Sequence, residues 1–377
     1  MPRILFFSSS RADSGILSPL IEAANKDSRF ELIVLATGGH FSESQGVTFE
    51  EEFRYLEPEK LVGLSLDDRR EDIVHHLPFL LDKFLEFLKI SKFDVAIVLG
   101  DRVETLLFSL ALTTRGIPIC HIHGGEITTG SVDEIYRHAI TKLGSLHFCK
   151  DDESAARVIQ MGEDPGKVFS LGSPMEDKIS SLKPMPNSDF LAATGLGESN
   201  GFFLVCMHPS TFDYPSTLYH LESVLSALDS FPDYQLLFTA PNMDPEGQGL
   251  SDLIESYVSK EKGRAKFVRN LGASYLEALR RCDLAIGNSS SFVLEAPRIG
   301  ARTIFIGRRQ EGRALGSRGL PADSSKIKKA IENALQMDKP LPIKKSSVSV
   351  SIQILDKIMH NLPNSIEKRF HELDSNR

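Results

Sequence analysis

The stretch Asp94-Val-Ala-Ile-Val-Leu-Gly100-Asp-Arg-Val-Glu104 reads as a fully apolar strand, a glycine, two charged residues and the start of a helix. A helical segment, Glu104–Thr114, follows, and then a second apolar run, Ile117-Pro-Ile-Cys-His-Ile122. An unbroken Val/Ile/Leu run is what a strand covered by helices on both faces requires, whereas a half-exposed strand alternates. The same rhythm extends outward. Upstream, Ile4-Leu-Phe-Phe7 precedes a helical Ile16–Lys26, then Phe30-Glu-Leu-Ile-Val-Leu35 and a long amphipathic Ile73–Ile90. Downstream lies a helix around Ile135–Leu143. This is the signature of a parallel α/β sheet.

The pattern stops over Ser180–Ser188, where Pro184 and Pro186 stand among Ser, Lys and Asn as a linker. A second series then begins. Phe202-Phe-Leu-Val-Cys206, Tyr234-Gln-Leu-Leu-Phe238, Ala265-Lys-Phe-Val268, Asp283-Leu-Ala-Ile286 and Thr303-Ile-Phe-Ile306 are strand candidates, with helical Leu218–Phe231 and Ser274–Arg281 between them. The chain ends in an amphipathic Ile352–Leu362 and a charged tail. The fold expected is α/β, with two Rossmann-like, doubly wound domains facing an interdomain cleft.

Composition sets the outer limits. The 377 residues are 41% hydrophobic and 25% charged, which fits a soluble globular chain and excludes a fibre or a disulfide scaffold. With 51 acidic against 43 basic side chains, a net charge of −8 argues against nucleic acid as a partner. No run approaches the ~20 apolar residues of a membrane span, so no membrane partner is expected. The N-terminus runs directly into a strand without the regions of a signal peptide, so the chain reads as cytoplasmic. Cys120, Cys149, Cys206 and Cys282 stand far apart in apolar runs and read as small buried hydrophobes, not disulfides or zinc ligands.

In doubly wound sheets ligands bind beyond the carboxyl ends of the strands, so the polar residues after each run are the candidates. The first is Ser8-Ser-Ser-Arg11-Ala12-Asp13-Ser-Gly15, small residues before a helix with Arg11 as a clamp for an anion, or simply a capped turn. Asp101 and Arg102 follow the next run. Asp101 reads as a helix N-cap with Glu104 as its capping-box partner, a role that leaves a catalytic one open. The densest cluster comprises His121, His123, Glu126, Asp133, Glu134, Arg137 and His138. His121 and His123 would share a strand face, but the neighbouring carboxylates lack metal-ligand spacing. The cluster therefore reads as acid/base machinery without a metal. His208 ends a strand of the second series, and Asn242 and Asp244 follow another as cleft residues or turn formers. In Gly287-Asn-Ser289-Ser290-Ser291, hydroxyls and helix N–H groups would hold a diphosphate. Glu295 would accept from ribose hydroxyls, and one of Arg308, Arg309 and Arg313 would neutralise the phosphates.

Taken in order, Arg11-Ala-Asp, Gly100-Asp-Arg-x-Glu, His121-Ile-His-Gly-Gly-Glu, Asp133-Glu with Arg137-His-Ala-Ile-Thr-Lys, Gly172-Ser-Pro, His208-Pro, Asn270-Leu-Gly, Gly287-Asn-Ser-Ser-Ser and Gly307-x-Arg-Gln-x-Gly-Arg313 resemble one family. It is the hydrolysing UDP-N-acetylglucosamine 2-epimerases of sialic acid synthesis, which release N-acetylmannosamine and UDP. The resemblance runs from residue 3 to about 316. It implies a glycosyltransferase-B-like fold with residues 1–183 as the N-terminal domain and 188–351 as the UDP-binding domain, residues 352–377 packing back on the first. It also implies UDP contacts at Arg11, Ala12, Arg102, Ser289, Ser290, Ser291, Glu295 and Arg309. The acid/base groups would be Asp101 and Asp133, with Glu126 or His123 in the place of a carboxylate that part of the family carries, and Arg137 and His208 beside them. A UDP-sugar is the implied partner, no cofactor is needed, and relatives are homo-oligomers, dimers or tetramers. The first loop lacks the Pro-Glu of the non-hydrolysing sister group, favouring the hydrolysing branch. Alternatives kept open are the same reaction on UDP-2,4-diacetamido-2,4,6-trideoxyglucose, a glycosyltransferase and a non-enzymatic nucleotide-sugar sensor.

Overall fold

The structure, a computed structural model, describes residues 1–41, 49–65, 73–90, 92–198, 201–210, 212, 214–242, 247–313, 319–343 and 348–373. Asp244 lies outside these residues, as does the side chain of Arg11. Seven strands form one sheet: β1 (Arg3–Ser8), β2 (Glu31–Thr37), β3 (Leu61–Leu64), β4 (Val95–Leu99), β5 (Ile119–Ile122), β6 (Leu146–Cys149) and β7 (Val168–Ser170). Five form a second: β8 (Phe202–Cys206), β9 (Gln235–Thr239), β10 (Ala265–Val268), β11 (Leu284–Gly287) and β12 (Thr303–Phe305). All pairings are parallel, in the orders β3-β2-β1-β4-β5-β6-β7 and β10-β9-β8-β11-β12.

Both faces of each sheet are buried. Ile4 and Phe6 of β1 enter one core with the helix Arg11–Lys26, while Leu5 and Phe7 enter the other with the helices Ile73–Ile90 and Val103–Thr114. Phe7 stacks on Phe108 at 4.4 Å and meets the edge of Phe84 at 5.5 Å. Burying each such ring stabilises the fold by about 1.5–3 kcal/mol. The helix Val350–His360 adds Val350, Ile354, Leu355 and Ile358 to the first of these cores. Asp177 anchors its start, accepting from the N–H groups of Val350 and Ser351 and the Ser349 hydroxyl. The four cysteines are buried as free thiols.

Several local expectations shift. The first helix begins at Arg11, five residues earlier than its apolar spacing shows, because the Ser10 hydroxyl caps it by accepting from Asp13 N–H. The Pro-rich stretch is helical at both ends, in Met175–Ser181 and Asn187–Thr194, leaving residues 182–186 as the crossing. β3 (Leu-Val-Gly-Leu) and β7 (Val-Phe-Ser) are short and only half-buried, and neither is among the strand candidates of the sequence.

The strand order locates the binding crevices. In the first sheet the chain winds from β1 outward to β3, then returns to β4 on the other side of β1. The second sheet reverses likewise between β8 and β11. Loops on either side of such a switch point diverge and open a crevice. Those loops carry Ser8–Ser10 and Gly100–Arg102 in one lobe, Met207–Ser210 and Asn288–Ser290 in the other.

Candidate active site

In the second lobe, β11 ends at Gly287, where a Cβ would overlap the Cys206 carbonyl oxygen at a φ of +146°. Glycine is therefore the residue that lets β11 press against β8 and aim the serine turn. Asn288 locks the adjoining loop: its side chain accepts from His208 N–H at 2.7 Å and donates to the His208 carbonyl at 2.8 Å. Asn242 N–H donates to His208 Nδ1 at 3.1 Å. Nδ1 must then be the acceptor, so the proton of the neutral ring sits on Nε2. Ser291 Oγ donates to Ser289 Oγ at 3.1 Å, and Tyr275 is hydrogen-bonded to Ser291.

The expected helix after this turn is two four-residue pieces, Ser291–Leu294 and Ala296–Ile299, broken at Glu295. So short a helix has little macrodipole, and anion affinity here rests on hydroxyls and local N–H groups. Glu295, at the break, is buried on the wall of the cleft. Ser289, Ser290, Ser291, Glu295, Tyr275, His208, Asn242, Asn270 and Gly272 line one cavity, together with Ala12, Met175 and Lys178 of the opposite lobe. Glu295 Oε2 is buried without a hydrogen-bond partner among the described residues. Burial pushes its carboxyl up to about 7, against the nearby charges of Lys178, Arg298 and Arg313.

In the first lobe, Asp101 is not the cap of the following helix; Arg102 holds that position, without a side-chain cap bond. The Asp101 carboxylate instead pairs with Arg137, and Arg313 Nη2 lies 3.5 Å away. Burial works to raise its pKa, but the two guanidiniums prevail and hold it below the ordinary range. Arg137 is fully buried and donates further to the Glu126 carbonyl at 3.1 Å and Glu134 Oε2 at 3.2 Å. Expected among the reacting groups, it is enclosed by protein acceptors, the Asp101 carboxylate among them.

The His121/His123 face does not form. β5 ends at Ile122 and His123 takes a left-handed φ of +65°, turning its ring away from that of His121. His121 Nε2 donates to the Gly100 carbonyl at 2.9 Å, and burial drives its pKa down to about 3, so it is a neutral strut. His123 Nδ1 lies 3.0 Å from Glu126 Oε1 and Nε2 meets Ser173 Oγ at 2.9 Å. Glu126 is almost completely buried, with Lys150 Nζ at 3.1 Å and Arg313 Nε at 3.0 Å. Burial opposes its charge, but Arg313, His123 and Lys150 hold it well below the ordinary range. Glu126 and His123, the two candidates for one role, thus lie side by side in one cluster. Asp133 opens the helix Asp133–Leu143, half-buried, its N–H on Ser131 Oγ at 3.3 Å.

Two residues expected at UDP, Arg309 and Arg102, do not line the serine-turn cavity. Arg309 donates to the carbonyls of Pro209 (3.1 Å) and Asn288 (3.3 Å), supporting the serine turn from behind. It lines a neighbouring cavity with Arg308 and His220. Arg102 has Nε 3.4 Å from Glu104 Oε2, and its charge acts on Asp13. Sequence reasoning missed Lys150 and Tyr275 and gave Ser173, within Gly172-Ser-Pro, no role; Lys150 directly follows β6, whereas Tyr275 lies inside the helix Ser274–Arg281.

A serine turn at the strand ends of one parallel sheet and a charged cluster at those of another, linked through Arg313, mark a two-lobed protein of glycosyltransferase-B-like fold. The profile of the UDP-N-acetylglucosamine 2-epimerases matches residues 22–349, and the chain belongs to that family. It is 32% identical over 358 residues to the Escherichia coli polysialic acid biosynthesis protein P7, covering 92% of this chain and 89% of that one. It is 29% identical over 332 residues to the Campylobacter jejuni GDP/UDP-N,N'-diacetylbacillosamine 2-epimerase (hydrolyzing), covering 88% and 86%. The Methanocaldococcus jannaschii UDP-GlcNAc 2-epimerase, solved with UDP-GlcNAc and UDP, shares the fold with a TM-score of 0.79 at 17% identity, over 95% of this chain and 99% of that one.

Proposed function

We propose that the protein converts UDP-N-acetylglucosamine and water to N-acetylmannosamine and UDP. The observation that carries the nucleotide half is Glu295. A buried carboxylate oxygen without a partner, on a cavity wall shared with three serines, is satisfied by a vicinal diol such as a ribose offers. The diphosphate then lies along Ser289–Ser291, where His208 Nε2–H donates to it and stabilises departing UDP.

The sugar faces the first lobe. A carboxylate takes the C2 proton, the C1–O bond to UDP breaks, and 2-acetamidoglucal forms. Water adds its hydroxyl to C1 while C2 regains a proton on the opposite face, giving the manno configuration. Two faces need two acid/base groups. Asp101, 20% exposed and held by Arg137 and Arg313 where Glu126 is almost completely buried, is assigned to one face. The His123–Glu126 pair or Asp133 serves the other. In this reading Arg11 and Ala12 approach the substrate from the first helix. No helix among the described residues is long and apolar enough to cross a membrane. A cytoplasmic homo-oligomer supplying sialic acid-type sugars completes the proposal.

The Campylobacter relative and a 28%-identical Legionella pneumophila relative, each named for diacetylbacillosamine, favour a second reading with the same chemistry. That sugar keeps the C2 acetamido group and differs at C4 and C6. Incubation with each UDP-sugar, with products separated by NMR, tests both: N-acetylmannosamine supports the first, the 2,4-diacetamido product the second. Absence of UDP release from both contradicts the proposal.

Glu295 also makes the nucleotide site pH-dependent. Its ionised form accepts diol hydrogen bonds best, so binding releases a proton and UDP affinity is expected to rise as pH passes upward through about 7. Titration calorimetry of wild type and Glu295→Gln checks this, because the variant should lose that component. The unbound fold responds in the opposite sense. Between its ordinary value of 4.5 and about 7 the native carboxyl keeps a proton that the unfolded chain releases, so its contribution to stability falls as pH rises. Glu295→Gln should flatten that slope in denaturant titrations.

A further inference from the structure

The strap Gly307–Arg313 after β12 touches both halves of this chemistry. Toward its own lobe, Arg309 and Gln310 donate to the Asn288 carbonyl at 3.3 and 3.0 Å, and Asn288 is the residue that clamps His208. Across the cleft, the N–H and hydroxyl of Thr129 donate to the Glu311 carbonyl at 3.1 and 3.0 Å. Gly130 lies so close beneath the strap that a Cβ there would overlap the Arg308 carbonyl oxygen. Arg313 then enters the first lobe: Nη1 is held by Gln310 Oε1 at 3.2 Å, Nε meets Glu126 Oε2 at 3.0 Å, and Nη2 lies 3.5 Å from Asp101 Oδ2.

The geometry points to Arg313 as a positioning residue of the proposed reaction: it pairs Asp101 with Glu126 across the cleft and, through the strap, ties their arrangement to that of the phosphate-binding turn. A guanidinium fork spans two carboxylates that a point charge does not hold in one plane. The other groups facing Asp101 are Arg137, Glu126, Asp13 and His121; those facing Glu126 are His123, Lys150, Arg137 and Asp101. Removing Arg313 takes away a positive charge common to both carboxylates, while Arg137 remains close to each. The chemistry rests on the reaction proposed above; the strap contact does not.

The test compares wild type with Arg313→Gln and Arg313→Lys. Arg313→Gln is expected to lower kcat roughly 10–100-fold with UDP affinity within about threefold of wild type. The acidic limb of its kcat–pH profile should move up by about one unit, because the carboxylates protonate more easily. Arg313→Lys should restore the limb and recover kcat only in part, and it serves if the Gln protein does not fold. Hydrogen exchange at the Thr129 amide, which needs no substrate, should quicken by about tenfold or more in Arg313→Gln. Wild-type kcat and pH limb in the variant, UDP affinity falling in step with kcat, or unchanged Thr129 exchange each overturns the inference. If wild type releases UDP from neither sugar nucleotide, the reaction is wrong, and the exchange result alone decides whether Arg313 seats the strap.

Discussion

Asp101→Asn is expected to lower turnover of the UDP-sugar by roughly 10²–10⁴-fold, the range that one positioned acid/base group supplies. UDP affinity should stay within about threefold, because Asp101 stands at the β4 switch point and not among the residues that line the serine-turn cavity. The amide keeps a hydrogen bond to Arg137 and close to the same shape, so what it removes is the exchangeable charge. Single-turnover release of UDP, with UDP affinity measured by calorimetry, reads both quantities. Wild-type turnover would take Asp101 out of the chemistry. A parallel loss of UDP affinity would move it to the nucleotide.

Arg137→Met is expected to have the largest effect on the fold, a loss of about 3–5 kcal/mol, the usual result of removing one partner from a buried ion pair. Methionine fills much of the volume but leaves the carboxylates of Asp101 and Glu134 and the Glu126 carbonyl without their common donor. Urea unfolding midpoints at pH 7 measure the loss. The pH dependence carries the sign. Asp101 and Glu126 have depressed native pKa values, so the stability they contribute is present above the ordinary carboxylate range and is lost as pH falls through the native values. Without Arg137 those native values rise and the acid-sensitive component shrinks. A variant as stable as wild type, with the same acid slope, would mean that Arg137 is not the hub the contacts describe.

What the sequence discloses follows from the range of each interaction. The two sheets were legible because β1, β4, β5 and β8 are apolar on consecutive residues, and only double-sided burial calls for that. Edge strands such as β3 carry no such demand, and its four residues, Leu-Val-Gly-Leu, are too few to stand out. Loops at strand ends were legible for the same reason, since the strands that mark them are. The partners of those loops were not. Asp101 followed by Glu104 has the spacing of a capping box, but a guanidinium 36 residues away outcompetes the helix end for the carboxylate. Arg313 reaches Glu126 across 187 residues of chain, and no local pattern encodes that contact. The left-handed turn at His123 likewise defeats strand alternation one residue after β5 ends.

In the proposed reaction the first lobe removes and returns a proton at C2 while the second carries off UDP. Reaction with UDP-N-acetylglucosamine in deuterium oxide, followed by NMR of the released sugar, tests it directly. The expected products are free UDP and N-acetylmannosamine carrying deuterium at C2. Free UDP with N-acetylglucosamine still protonated at C2 would contradict it.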